Sequence, residues 1–219
     1  MISLFEILYH GSKSGLSGNI KPSSRKSCDF GKGFYLGNNK QQCCSLIADH
    51  NNPVLYTCSI DSSELTVKHL DGVLWVLFIM KNRGFLEEYR SSVVYKQLDE
   101  MSSNYDVFVG KIADDSLTDA FSLFIEGLLN FNCLLDCISE LPLGTQTVCV
   151  TQKACDAVTI ISSKILRGSE LLSSYQSSII NRNRGHDIFL KHKKNGRSGG
   201  MFVDEFMEEF KNGIPPKFF

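Results

Sequence analysis

The chain has 219 residues, 42% hydrophobic and 21% charged, with a formal net charge of −1. These proportions fit a soluble globular body with a real core, one domain with an extension. They exclude a global basic field for nucleic acid or an acidic membrane. The longest apolar run, Val73 to Met80, is under half the ~20 residues a membrane span needs, so no membrane partner is expected.

The start, MISLFEILYHGS, lacks a basic n-region and is interrupted by Glu6. It reads as a first strand rather than a signal peptide, which predicts a cytoplasmic protein. The eight cysteines then read as reduced, metal-free thiols. Cys43 and Cys44 are adjacent, and Cys133 and Cys137 are four apart with no paired CxxC elsewhere.

Ser3 to Tyr9 is β-prone, and His10-Gly11-Ser12 follows as a turn before a polar loop from Lys13 to Gly33. Phe34 to Leu36 is a short strand. Lys40 to His50 is predicted helical with Cys43, Leu46 and Ile47 on one face, and Asn51-Asn52-Pro53 stops it. Val54 to Ile60 and Leu65 to Leu70 are strands. Asp71 to Asn82 is a helix capped by Asp71, with Val73, Val76, Leu77 and Met80 at i, i+3, i+4 and i+7. A strand over Tyr105 to Ile112, helices over Leu117 to Leu129 and Asn132 to Leu141, and strands over Gln146 to Thr151 and Thr159 to Leu166 complete the body.

After Arg167, Ser-rich sequence leads to a basic stretch with Arg182, Arg184, Lys191, Lys193, Lys194 and Arg197, which reads as a solvated linker. A last helix over Val203 to Lys211 carries a stripe of Phe202, Phe206 and Phe210 that needs covering. The expected organisation is a domain over 1–166 and a C-terminal extension over 167–219. Short strands interspersed with helices at no regular βαβ spacing predict an α+β fold.

Two segments can carry chemistry. In Tyr9-His10-Gly11-Ser12, Gly11 lets the backbone approach a ligand and His10 offers a directional donor or acceptor for a ribose hydroxyl. In Asp29-Phe30-Gly31-Lys32-Gly33-Phe34-Tyr35-Leu36, two glycines precede an aromatic strand, and the face of Tyr35 suits a nicotinamide ring. GxGxxG and GxxxxGK[ST] are both absent, so this is not a phosphate loop. Taken singly, each segment also fits a bland reading, a polar turn or a glycine-rich hairpin.

In order, the strand, HGS, polar loop, FGKGFYLG and helix resemble the ADP-ribosyltransferase superfamily, especially its poly(ADP-ribose)-polymerase-like branch. They resemble more closely still a bacterial family known as a domain of unknown function. The shared features are Leu8 to Ser12, Asp29 to Leu36, Gln42, Trp75 through Asn82-Arg83, and Ala113-Asp114-Asp115, over about residues 7 to 160.

The resemblance implies two small packed sheets around an NAD cleft with flanking helices. NAD, as substrate, would meet His10, Gly11, Ser12, Phe30, Gly31, Gly33, Tyr35 and Gln42. Within that set His10 would hold the adenosine-side ribose, the Gly11 backbone the carboxamide, and Tyr35 would stack on the ring. Arg25 is a candidate for the diphosphate, beside the alternative of a solvated loop arginine.

The third family position, usually glutamate, falls on Gln146, and the second half of the ring pocket falls on Cys43 and Leu46. Cleaving the nicotinamide–ribose bond develops positive charge, for which a carboxylate is the natural partner. Gln146 can hydrogen-bond a 2′-hydroxyl but brings no charge, so Asp114 and Asp115 are the candidate carboxylates, beside the alternative of a turn or helix cap.

The expected function is transfer of a single ADP-ribose from NAD to a macromolecule, protein before nucleic acid. The resemblance adds a bacterial toxin paired with a small antitoxin protein. An NAD glycohydrolase and a non-catalytic NAD or ADP-ribose reader remain open. No metal is expected.

Overall fold

The computed structural model describes residues 6–113, 118–140, 142–195, 199–215 and 217. The architecture is α+β: seven strands and eight α-helices among the described residues. The strands are β1 (Leu8–Ser12), β2 (Phe34–Gly37), β3 (Val54–Ile60), β4 (Val67–Leu70), β5 (Val107–Lys111), β6 (Thr145–Cys149) and β7 (Val158–Ile165). The helices are α1 (Lys40–Ser45), α2 (Gly72–Arg83), α3 (Val93–Asn104), α4 (Thr118–Ile125), α5 (Phe131–Ser139), α6 (Gln152–Asp156), α7 (Gly168–Asn195) and α8 (Val203–Glu209).

The strands form one sheet in the order β4-β5-β6-β2-β1-β3-β7, rather than the two separate sheets expected. The reason is that β1 pairs with both β2 and β3. The two joints are unequal, however. β1 pairs with β3 over five residues, Leu8 to Ser12, but with β2 through the single pair Tyr9 and Gly37. The half β4-β5-β6-β2 and the half β1-β3-β7 therefore meet at a narrow seam. His10-Gly11-Ser12 continues β1 along β3 and is not a turn.

Strand alternation sends successive side chains to opposite faces. On one face lies the main core, where Phe108 and Val148 of the sheet pack with α2 and the helices around it. Every residue of α2 from Leu74 to Met80 is buried, so this helix is enclosed on all sides rather than amphipathic. Gly84, left-handed at φ +87°, ends it. Asp71 occupies the N-cap position without a side-chain cap bond. Helix α3, which apolar periodicity did not single out, is capped by Ser92 and buries Val94, Leu98 and Met101. The other face holds a smaller cluster of Leu8, Phe34, Leu36, Cys149 and Cys155, covered by Leu16 and Ile20 of the loop after β1.

The C-terminal segment is packed into this body. Phe206 and Phe210 of the α8 region are fully buried, with Phe206 stacked on Phe131 at 4.5 Å and edge-on to Phe124 at 5.5 Å. The basic stretch from Arg182 to Lys194, expected as a linker, lies within the 28-residue helix α7, which packs on α1 and α5. Its inward face runs through Leu171, Ser174, Ser178, Asn181, Gly185, Ile188 and His192. Small and polar residues at helical spacing leave no hydrophobic stripe to read. No helix among the described residues is long and apolar enough to cross a membrane.

Candidate functional site

Residues from both halves of the sheet converge at the seam. His10 lies on the smaller-cluster face, its ring stacked on Phe34 with centroids 4.2 Å apart and 6.2 Å from the Tyr56 ring. Its Nδ1 is 2.7 Å from the Tyr35 carbonyl oxygen, so a side chain bridges the two strands where the ladder has stopped. A carbonyl can only accept, so Nδ1 carries the proton and Nε2 is left as an acceptor. Burial lowers the His10 pKa below its ordinary value, against an upward pull from the Tyr35 carbonyl. The imidazole is therefore neutral near pH 7.

Tyr35 lies on the opposite face. It packs against the main core, while its neighbours Phe34 and Leu36 belong to the smaller cluster. The motif pair predicts the His10 and Tyr35 rings in one pocket. In the structure their backbones adjoin and their rings emerge on opposite faces, because His10 shares the face of Phe34 and Tyr35 is the next residue along. The Tyr35 hydroxyl donates to the Gly31 carbonyl at 2.8 Å and accepts from the Phe30 amide at 3.0 Å. Burial pushes its pKa upward, so it stays protonated. The side chain thus clasps the glycine run that precedes its own strand.

Beside it Gln146 joins a buried polar cluster with Asp29 and Arg83, neither of which was expected at a site. The Asp29 carboxylate receives Nε and Nη2 of Arg83 on Oδ1 at 2.8 and 2.5 Å, and Nε2 of Gln146 on Oδ2 at 2.9 Å. Gln146 Nε2 also donates to the Lys111 carbonyl at 3.1 Å, which takes the Trp75 indole N–H at 3.0 Å as well. Asn82 Nδ2 donates to the Asp29 carbonyl at 3.1 Å. The side chains of Asp29 and Arg83 are each only 10% exposed. Such a pair tolerates burial because each charge has its partner and further hydrogen bonds. The signal was present: Asp29 opens the DFGKGFYL run and Asn82-Arg83 ends the tryptophan helix.

The remaining expected residues divide. A Cβ on Gly11 would lie 2.7 Å from the Cys43 carbonyl, so glycine there admits α1. Gly31 takes φ +77° and faces Asn82, and Gly33 lies against Val148 and Cys149 of β6. These glycines let the chain pack closely, whatever it binds. Ser12 ends β1, half-buried. Phe30 is not at a ligand surface: its ring is core, edge-on to Phe78 at 6.0 Å and to Phe108 at 6.4 Å. Arg25 is exposed in the loop. Gln42 is turned away from the seam, its Oε1 accepting from Asn181 of α7 at 3.2 Å and so tying α1 to α7. Cys43 is buried and its thiol is pushed up to about 12 by burial, whereas Leu46 is exposed. Asp114 and Asp115 lie outside the described residues.

All eight cysteines are free and seven are buried. Burial pushes Cys137 and Cys149 up to about 12 as well, so these thiols stay protonated. Cavities of about 390 and 250 Å³ lie elsewhere, the first bordered by Leu123, Leu128, Lys193 and Lys194, the second by Lys40, Gln41, Cys44, Glu170, Ser173 and Ser174. Neither gathers the directional groups that meet at the seam.

Residues 6–160 match the model of a family described as a protein of unknown function (DUF3990), and the chain belongs to that family. No curated protein and no solved structure matches it.

Proposed function

We propose that the seam between β1 and β2 binds NAD, and that the protein transfers ADP-ribose from it to a macromolecular acceptor, a protein before a nucleic acid. The observation that carries this reading is the convergence of the three motif positions: His10 contacts the Tyr35 backbone, and Gln146 lies across from Gly37, the one β2 residue paired to β1. A dinucleotide laid along the seam would meet the His10 Nε2 acceptor at its ribose end. Its nicotinamide end would pass the Gly11 backbone and cross the narrow seam to the opposite face, where Tyr35 and Gln146 lie. The ADP-ribosyltransferase fold and a toxin role with an antitoxin partner rest on the sequence resemblance.

A second reading is a non-catalytic NAD or ADP-ribose module. It is favoured by the Asp29 carboxylate, whose two oxygens are already taken by Arg83 and Gln146. Incubating the purified protein with NAD separates the possibilities. Nicotinamide release with label on a protein in a lysate supports transfer, and release without label supports hydrolysis. Binding without release supports the module. Replacing both Asp114 and Asp115 with alanine tests their expected role: full activity in that variant removes them from the mechanism.

A further inference from the structure

Gln146 stands where the resemblance leads one to expect glutamate, and the obvious engineering step is to restore the acid. The surroundings of the side chain argue against that step. Both groups that receive Nε2, the Asp29 carboxylate and the Lys111 carbonyl, are acceptors only. Flipping the amide would set its oxygen against both, so the orientation is fixed by its neighbours. Among the described residues the amide oxygen has no partner and no buried side-chain oxygen is left unpaired, so this oxygen keeps access to solvent.

We propose that Asp29 is a positioning residue that locks the Gln146 amide, nitrogen inward and oxygen outward, so that Gln146 offers one fixed acceptor to a ribose hydroxyl and glutamate cannot replace it. The proposal rests on the NAD reading for its ligand, but not for the lock itself. A glutamate at 146 would bring a second carboxylate to about hydrogen-bond distance from Asp29. Among the described residues of the cluster the cation is Arg83; Tyr35 and Cys28 beside it bring no positive charge, and Lys111 contributes its backbone carbonyl. Two carboxylates that close share a proton, and the pKa of one rises in the folded state. A raised folded-state pKa gives stability below the unfolded value of about 4.3 that is lost as pH climbs through the folded value.

The test is thermal melting of wild type, Gln146→Glu and Asp29→Asn/Gln146→Glu from pH 5 to pH 9, with nicotinamide release from NAD measured in parallel. Gln146→Glu is expected to melt several degrees below wild type at pH 8, with the gap narrowing towards pH 5. The double variant, in which an amide again faces a carboxylate beside Arg83, is expected to recover most of the loss. Gln146→Glu is also expected to release nicotinamide at least about 10-fold more slowly than wild type, with the loss in kcat. Wild-type melting of Gln146→Glu at every pH, or faster turnover by it, overturns the lock. The expected melting pattern in a protein that neither binds nor cleaves NAD upholds the lock and overturns the NAD reading.

Discussion

The two faces of the seam are built on different physical terms. On one, Asp29, Arg83, Gln146 and Tyr35 form a closed network in which a buried charge pair is joined to a loop, α2 and β6. On the other, His10 is held by one hydrogen bond and one ring stack, leaving Nε2 without a partner among the described residues. The closed face fixes geometry, and the open face offers a group to a ligand. Substitutions at Asp29, Arg83 and Tyr35 should therefore act mainly on folding, and those at His10 and at Gln146, whose amide oxygen faces outward, mainly on NAD.

The largest expected effect is on the closed face. Arg83→Ala leaves the Asp29 carboxylate buried and uncompensated, at a cost of about 3–5 kcal/mol in unfolding free energy. Chemical denaturation measures it, and a loss below about 1 kcal/mol would mean that the network does not hold the loop. Gln146→Ala removes an orienting acceptor and should slow nicotinamide release by about 10- to 100-fold. An unchanged rate would remove Gln146 from the mechanism. Tyr35→Phe deletes a hydroxyl that is bonded at both ends and should cost about 1–2 kcal/mol of stability. If that variant keeps full stability and loses only turnover, the division between the faces is wrong.

The smallest effect is on pH dependence. Because burial lowers the His10 pKa, the unfolded chain binds this proton more readily than the folded one. The His10 contribution is present above the unfolded value of about 6.5 and is lost as pH falls below it. Wild type should therefore lose stability between pH 7 and pH 5 by more than His10→Ala does. Equal losses in the two proteins would place the protonation elsewhere.

Much of this was legible in the sequence. The strands around the seam and the helices α1, α2, α4 and α5 announce themselves through β-branched runs, apolar periodicity and the stops at Pro53 and Pro142. The length of β1 was not legible, because HGS looks like a turn until β3 is there to pair with it. Helix α7 was hidden because its packing face is built from Ser174, Ser178, Asn181 and Gly185, and the helix α1 it meets is remote in sequence, Gln42 and Asn181 being 139 positions apart. Motif residues could be recognised as a set, but which of them share a face depends on strand alternation. Asp29 and Arg83 are 54 positions apart, and only the fold makes them a pair.

Incubating purified wild type and His10→Ala with NAD labelled in the adenylate, with cell lysate as acceptor and nicotinamide quantified alongside, tells whether the seam cleaves NAD. Wild type should release nicotinamide and leave protease-sensitive label on a macromolecule. His10→Ala, with its secondary structure retained by circular dichroism, should lose at least about 100-fold of that release. Equal release by the two proteins, or no NAD binding by wild type, would contradict the assignment of the seam as an NAD site.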